Sequence, residues 1–204
     1  MIANMISQND KKEFERGALL SFLENKVDKL FQDFPVPAHG IDHIKRVADW
    51  AVLIAKDGKC DEFLTKIAGL LHDIGRVAEF NNNPDKLRHH ELSYILAKEW
   101  FNQDREFDIL SEEEKEEILY AVRYHWDDTA EDYPLANILR DADKLDMYGD
   151  IGVKRACEFH KGFLNAKENI KRNLDLVSNI KTKMAKKIVE ENNLLEPLKK
   201  YLEN

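Results

Sequence analysis

The residues most able to do chemistry in this 204-residue chain are histidines and aspartates in three separated places: Asp42-His43, His72-Asp73, and Asp141-Ala142-Asp143-Lys144-Leu145-Asp146. Two imidazoles and two carboxylates can surround a hydrolytic metal ion and still leave positions for water and a substrate oxygen. His72 and Asp73 end an apolar run (Phe63, Leu64, Ile67, Ala68, Leu70, Leu71), where buried ionisable groups are costly unless paired or metal-bound. Capping is a poor account of Asp73, because an aspartate carries the wrong charge for a helix C-terminus. An isolated histidine is more often packed or exposed than a ligand. The convergence of three segments is what points to a site.

The elements that must position these residues read as helices. Apolar residues at helical spacing mark segments from Lys11 to Gln32, Asp42 to Lys56 (closed by Asp57-Gly58) and Asp61 to Asp73, with Gly75 as a stop. A loop over Asn81 to Asp85 precedes a helix from His89 to Phe101. The Ser111-Glu114 capping box opens another that reaches His125. Beyond a polar connection from Asp127 to Pro134, helices are expected at Leu135 to Met147 and Ile151 to Lys161. A long basic helix from Lys167 to Glu191 and a short segment from Leu194 to Leu202 complete the chain. No period-2 segment makes a convincing strand, and no repeat is present. The expected fold is all-α and single-domain over 1–204, with a flexible N-terminus at 1–10 and residues 162–204 as a helical extension packed on the core. A metal site in such a bundle draws side chains from different helices.

The net charge of −8 disfavours a nucleic-acid backbone or an anionic membrane as partner, while leaving room for a small anion in a local cationic pocket. Two cysteines, Cys60 and Cys157, form no metal-type pair and no disulfide framework. With no signal-like or membrane-spanning stretch in the sequence, a cytoplasmic protein is expected. The amphipathic C-terminal helix could also meet a second copy in a homodimer.

His43, His72-Asp73 and Asp143 resemble the H…HD…D signature of the HD-domain metal-dependent phosphohydrolases, over a stretch from about His39 to Phe159. The continuation through Asp146, Gly149, Gly152 and Arg155 is similar to the small bacterial nucleotide pyrophosphohydrolase-like branch. The resemblance implies an HD-type helical bundle and assigns His43, His72, Asp73 and Asp143 to the metal, with Asp141 and Asp146 behind them or positioning helices. The N/O donor set suits manganese first, with iron, cobalt, nickel or magnesium as alternatives. His89, His90 and His125 stand where two-metal relatives bind a second ion, and His89 matches that placement slightly better than His90. The competing expectation is that they line the pocket, bind phosphate or donate a proton. Asp132-Tyr133-Pro134 is similar to a GYP motif, but Asp132 replaces its glycine.

Arg46, Arg76 and Lys144 are the candidates for binding substrate oxygens, and Asp73, Lys144, Arg76 and His125 for catalysis, with Asp73 or Asp143 orienting the water. His39 could face the site, cap its helix or sit in solvent. Tyr94, Trp126, Tyr148 and Phe159 could stack a base or fill the core. By resemblance the substrate is a nucleotide: a nucleoside triphosphate cleaved to monophosphate and pyrophosphate, or a monophosphate. Two other classes are an HD-type di-iron oxygenase, marked by tightly bound oxygen-reactive iron, and a non-catalytic nucleotide-binding regulator.

Overall fold

Eleven α-helices order the described part of the chain: α1 Gln8–Asp33, α2 Ile41–Ala55, α3 Glu62–Leu71, α4 Arg76–Asn81, α5 His89–Gln103, α6 Glu112–Tyr124, α7 Pro134–Leu145, α8 Gly149–Phe159, α9 Phe163–Asp175, α10 Lys183–Glu191 and α11 Glu196–Glu203. The computed structural model describes residues 7–57, 60–159 and 163–203, with side chains for all of these except 163–165. The expected N-terminal tail over 1–6, the helix-closing Gly58, and Lys161 and residue 162 at the junction with the extension lie outside the described residues. Among those described, every regular element is helical. None of these helices is long and apolar enough to cross a membrane.

Local sequence explains most of these elements. Ser7 and Asp10 form a reciprocal capping box that starts α1 at Gln8, three residues ahead of the expected Lys11. Asp61 caps α3 by accepting the N–H of Phe63, and Ser111 with Glu114 caps α6 as expected. α3 is apolar on more than one face, and its residues from Phe63 to Leu71 other than Lys66 are buried, so it occupies the centre of the bundle against α2 and α7. Gly149 opens α8 with φ of +68°, a conformation glycine reaches without a Cβ penalty. Its N–H donates to the Leu194 carbonyl, tying the α7–α8 turn to the C-terminal helices.

Two features differ from expectation. The chain after Gly75 re-enters a short helix, α4, before the Asn-rich loop. The basic helix expected over Lys167 to Glu191 is broken: α9 passes through a 3-10 turn at Leu176–Asn179, and α10 starts afresh with Thr182 as its cap. The cause is Asp141 on α7, whose carboxylate accepts the backbone N–H groups of Lys181 and Thr182. Ile170, Ile180, Ala185, Ile188, Val189 and Leu198 nevertheless join the same hydrophobic cluster as α2, α3 and α7.

Candidate metal centre and adjoining cleft

Helix ends deliver the histidines. His43 lies in the first turn of α2, His72 and His125 follow the last residues of α3 and α6, and His89 opens α5. Each of the first three has its Nδ1 engaged: His43 with Asp146 Oδ2 at 2.7 Å, His72 with the Gly69 carbonyl at 2.7 Å and His125 with the Val122 carbonyl at 2.7 Å. A carbonyl or carboxylate oxygen can only accept, so Nδ1 carries a proton and Nε2 is the nitrogen left to meet a cation.

These Nε2 atoms converge on Asp73. His43 Nε2 stands 3.2 Å from His72 Nε2, and the two lie 3.6 and 3.9 Å from Asp73 Oδ2. His89 Nε2 and His125 Nε2 lie 3.5 and 3.7 Å from Asp73 Oδ1. That oxygen is buried and accepts no hydrogen bond. Lone pairs facing lone pairs in a buried place repel unless a cation sits among them. Two compact three-donor groups result, His43/His72/Asp73 and Asp73/His89/His125, each with ligand atoms within 4.8 Å of one another. The donor set fits a divalent ion on this ground. Asp143 touches the first group through His43 alone, at 3.5 Å from its Nε2, and is more exposed than the other members.

Electrostatics keep this centre ionised at the carboxylates and mostly neutral at the imidazoles. Burial acts to raise Asp73, but Arg76, His72 and His43 outweigh it and hold its carboxyl well below the usual range. Asp143 falls to about 2, with burial opposing and His43 and His72 lowering it. Burial pushes His72 down to about 4 and His89 down to about 2. His43 is the exception. Burial and Arg155 act to lower it, but its hydrogen bond to Asp146 and the Asp73 and Asp143 carboxylates close to it raise it.

The remaining candidates divide. Arg76 donates from Nε to Asp73 Oδ2 (3.0 Å) and from one terminal nitrogen to Glu79 (3.2 Å), so it stands on the edge of the centre. Arg46 is turned onto Asp146, at 2.6 and 3.1 Å. Lys144, expected to bind substrate oxygens, instead donates to Asp128 at 2.5 Å and to the Arg140 carbonyl, and is buried. A helix places residues one apart about 100° around its axis, and that rotation carries Lys144 away from Asp143. The same rule separates His89 from His90, whose ring stacks on Trp126 at 4.8 Å and joins neither donor group. Tyr148 is buried in the core, whereas Trp126 and Phe159 are exposed.

Beside the centre is a cleft of about 200 Å³, with His39 and Arg76 forming the partition between the two. The ring of His39 packs edge-on against His43 on one side and Phe159 on the other, and its buried Nδ1 has no partner. Across the cleft α8 and α9 contribute Arg155, Asn169, Arg172 and Asn173. Sequence reasoning noted Arg155 only as part of a pattern; here it donates to Asp146 Oδ2 at 2.7 Å and to the Asp146 and Ala38 carbonyls. It also passed over Glu79, whose spacing of three from Arg76 on a helix was the available signal. Glu79 accepts from Arg76 and from the His89 backbone N–H.

Comparison with known proteins agrees with this architecture. Residues 40–148 match the HD domain family. The uncharacterized protein YpgQ of Bacillus subtilis is 30% identical over 126 residues, covering 59% of this chain, and the match spans 57% of that relative's length. Bacillus subtilis YpgQ in complex with ADP has a similar fold, with a TM-score of 0.70 at 22% identity over 93% of this chain and 94% of the other. A predicted HD superfamily hydrolase from an uncultured Thermotogales bacterium is 29% identical, with a TM-score of 0.58 over 78% of this chain and 87% of its own.

Proposed function

The chain belongs to the HD domain family, and from that premise we propose that it is a metal-dependent phosphohydrolase that cleaves a nucleoside triphosphate to the monophosphate and pyrophosphate. The observation that carries this reading is the ring of bare Nε2 atoms around Asp73, beside a cleft whose charged lining is wholly guanidinium. His43, His72, Asp73 and Asp143 are the proposed ligands, with manganese favoured for a mixed imidazole and carboxylate set. Bound there, the ion supplies an acidified water and neutralises charge on a phosphoryl oxygen.

The chain's own groups account for the rest. Arg76 has one terminal nitrogen without a hydrogen bond to any described residue and borders both centre and cleft, which suits it to hold a phosphoryl oxygen at the reaction centre. Asp143 stays ionised, so it orients the attacking water by accepting its hydrogen bond; with a pKa near 2 it is a weak proton store. His89 is neutral for the same kind of reason and fits a donor atom better than a proton donor to the leaving group. That leaves His125 as the histidine for the latter task, or as a partner of His89 and Asp73 Oδ1 around a second ion. Lys144 and Arg46 act at one remove, through Asp128 and Asp146. ADP bound to Bacillus subtilis YpgQ supports a nucleotide over other phosphate esters.

The second donor group also favours a second reading, an HD-type di-iron oxygenase, which needs two such sets sharing a carboxylate. One experiment separates them. Metal-stripped protein is supplied with manganese, magnesium, cobalt or nickel and offered nucleoside tri-, di- and monophosphates, with Asp73→Ala in parallel, and phosphate and pyrophosphate are measured. Pyrophosphate release that needs the metal and is lost in Asp73→Ala is the expected result. Silence across the panel, with tightly held oxygen-reactive iron in the protein as purified, would replace the proposal by the oxygenase.

A further inference from the structure

The cleft beside the metal centre has a far wall that lies outside the stretch matching the family, on α9. Asn169, Arg172 and Asn173 stand at i, i+3 and i+4 and so share one face of that helix. Arg76 and Arg155 meet carboxylates of the chain itself. Arg172 makes no ion pair or side-chain hydrogen bond with any described residue, and no carboxylate lines the cleft to neutralise it.

Asn173 is the second observation. It is 5% exposed, at a level of α9 where Ala166 and Ile170 are fully buried, and among the described residues its amide donates only to Asn169 Oδ1, at 3.3 Å. A carboxamide offers two N–H groups and two lone pairs. Neither amide atom of Asn173 is both buried and unpartnered, so its spare hydrogen-bonding capacity lines the cleft beside the exposed Arg172 guanidinium. One guanidinium and two carboxamides on a wall with no facing carboxylate are matched to an anion with several oxygens.

We propose that this α9 face is the polyphosphate-reading surface of the enzyme: Arg172 pairs with the terminal phosphate of the nucleotide, and the Asn169 and Asn173 carboxamides donate to the oxygens between it and the reaction centre. The inference rests on the triphosphate reading above. In that reaction one water oxygen bonds to the α-phosphorus and a proton is released. The bond from that phosphorus to the α,β-bridging oxygen breaks, and its electron pair leaves with pyrophosphate. The group that leaves is the group the α9 wall holds, so the wall selects chains with three phosphates over those with one.

The test compares wild type with Arg172→Ala, Arg172→Glu and Arg172→Lys. It measures kcat and KM for nucleoside tri- and monophosphates with manganese, and calorimetric binding of an α,β-methylene triphosphate analogue. Arg172 is exposed, so these variants should fold as wild type does. Expected is a rise of about tenfold or more in KM and in the analogue's Kd for Arg172→Ala, a larger rise for Arg172→Glu and substantial recovery in Arg172→Lys, with the triphosphate-to-monophosphate preference falling in step. Wild-type affinity and preference in Arg172→Ala would overturn the inference while leaving the triphosphatase reading intact. Failure of the wild type itself to bind the analogue or hydrolyse triphosphates would overturn both.

Discussion

His43 Nδ1 lies 2.7 Å from Asp146 Oδ2, and the same carboxylate receives Arg46 and Arg155. Asp146 is 103 residues from His43 in sequence and almost fully buried. It fixes which nitrogen of His43 is bare, and the two arginines fix Asp146. A proposed metal ligand on α2 is thus oriented from the end of α7 and from the middle of α8.

Replacing Asp146 should therefore damage the metal centre without touching it. Asp146→Asn keeps an acceptor oxygen but loses the charge that raises His43 and holds both guanidiniums. Affinity for manganese is expected to fall by about 10–100-fold, the usual effect of losing an outer partner of a ligating histidine. Competition with a chelator on protein of unchanged helical content would check this. Unaltered affinity would mean that His43 is positioned by packing alone.

Asp73 should matter more than any other single residue, because its two oxygens face the two donor groups separately. Asp73→Ala is expected to lower bound metal to background and to remove hydrolysis. His125→Ala should leave the His43/His72/Asp73 group able to bind. Metal equivalents per chain, measured on dialysed protein, distinguish the variants. Full metal retention in Asp73→Ala would sink the proposed ligand set.

The metal-free protein should lose stability on mild acidification. His39, His72 and His89 are pushed by burial to about 3, 4 and 2 in the folded state, against an ordinary value near 6.5. The unfolded chain therefore takes up their protons first as pH falls below about 6.5, while the folded state resists until roughly pH 4. Each imidazole contributes a slope of about 1.4 kcal/mol per pH unit across that window. His43, raised in the fold, has the opposite sign and acts above that window, where falling pH through its folded value adds stability. Urea midpoints at pH 7.0, 6.0 and 5.0 should fall steadily. A flat profile would show that these rings are hydrated and protonate freely.

Much of this was legible in the sequence where the cause is local. The Ser111-Glu114 box starts α6, and the run of α3 that is apolar on more than one face occupies the centre of the core. His72 and Asp73 belong to a buried cluster for the reason their context suggested. What escaped depends on partners far along the chain. The break before α10 is imposed by Asp141, forty residues away. Lys144 is drawn to Asp128 because helix phase turns it from its neighbour Asp143. The preference for His89 over His90 came from the family resemblance alone, because its cause is the angle at which α5 enters the bundle, which periodicity does not contain.

That entry angle depends on Gly75, and it supplies a final prediction. A Cβ there would stand 2.3 Å from Ser93 N, 2.4 Å from the His89 carbonyl oxygen and 2.7 Å from the Leu92 carbonyl carbon. All three are backbone atoms, so no side chain can swing aside, and α5 must move away from the turn that carries His72 and Asp73. The Gly75 N–H to Ser93 Oγ bond, 2.9 Å, would go with it. Gly75→Ala is expected to cost at least the 1–3 kcal/mol typical of overpacking, and to weaken metal binding by displacing His89. Gly17→Ala in α1 is the matched control. Nothing lies within 4 Å of its would-be Cβ, and alanine in a helix interior gains about 0.5–1 kcal/mol over glycine. Thermal and urea unfolding of the two variants should therefore move in opposite directions. Equal midpoints would mean that α5 can slide past Gly75, and that the position of His89 is not set by this contact.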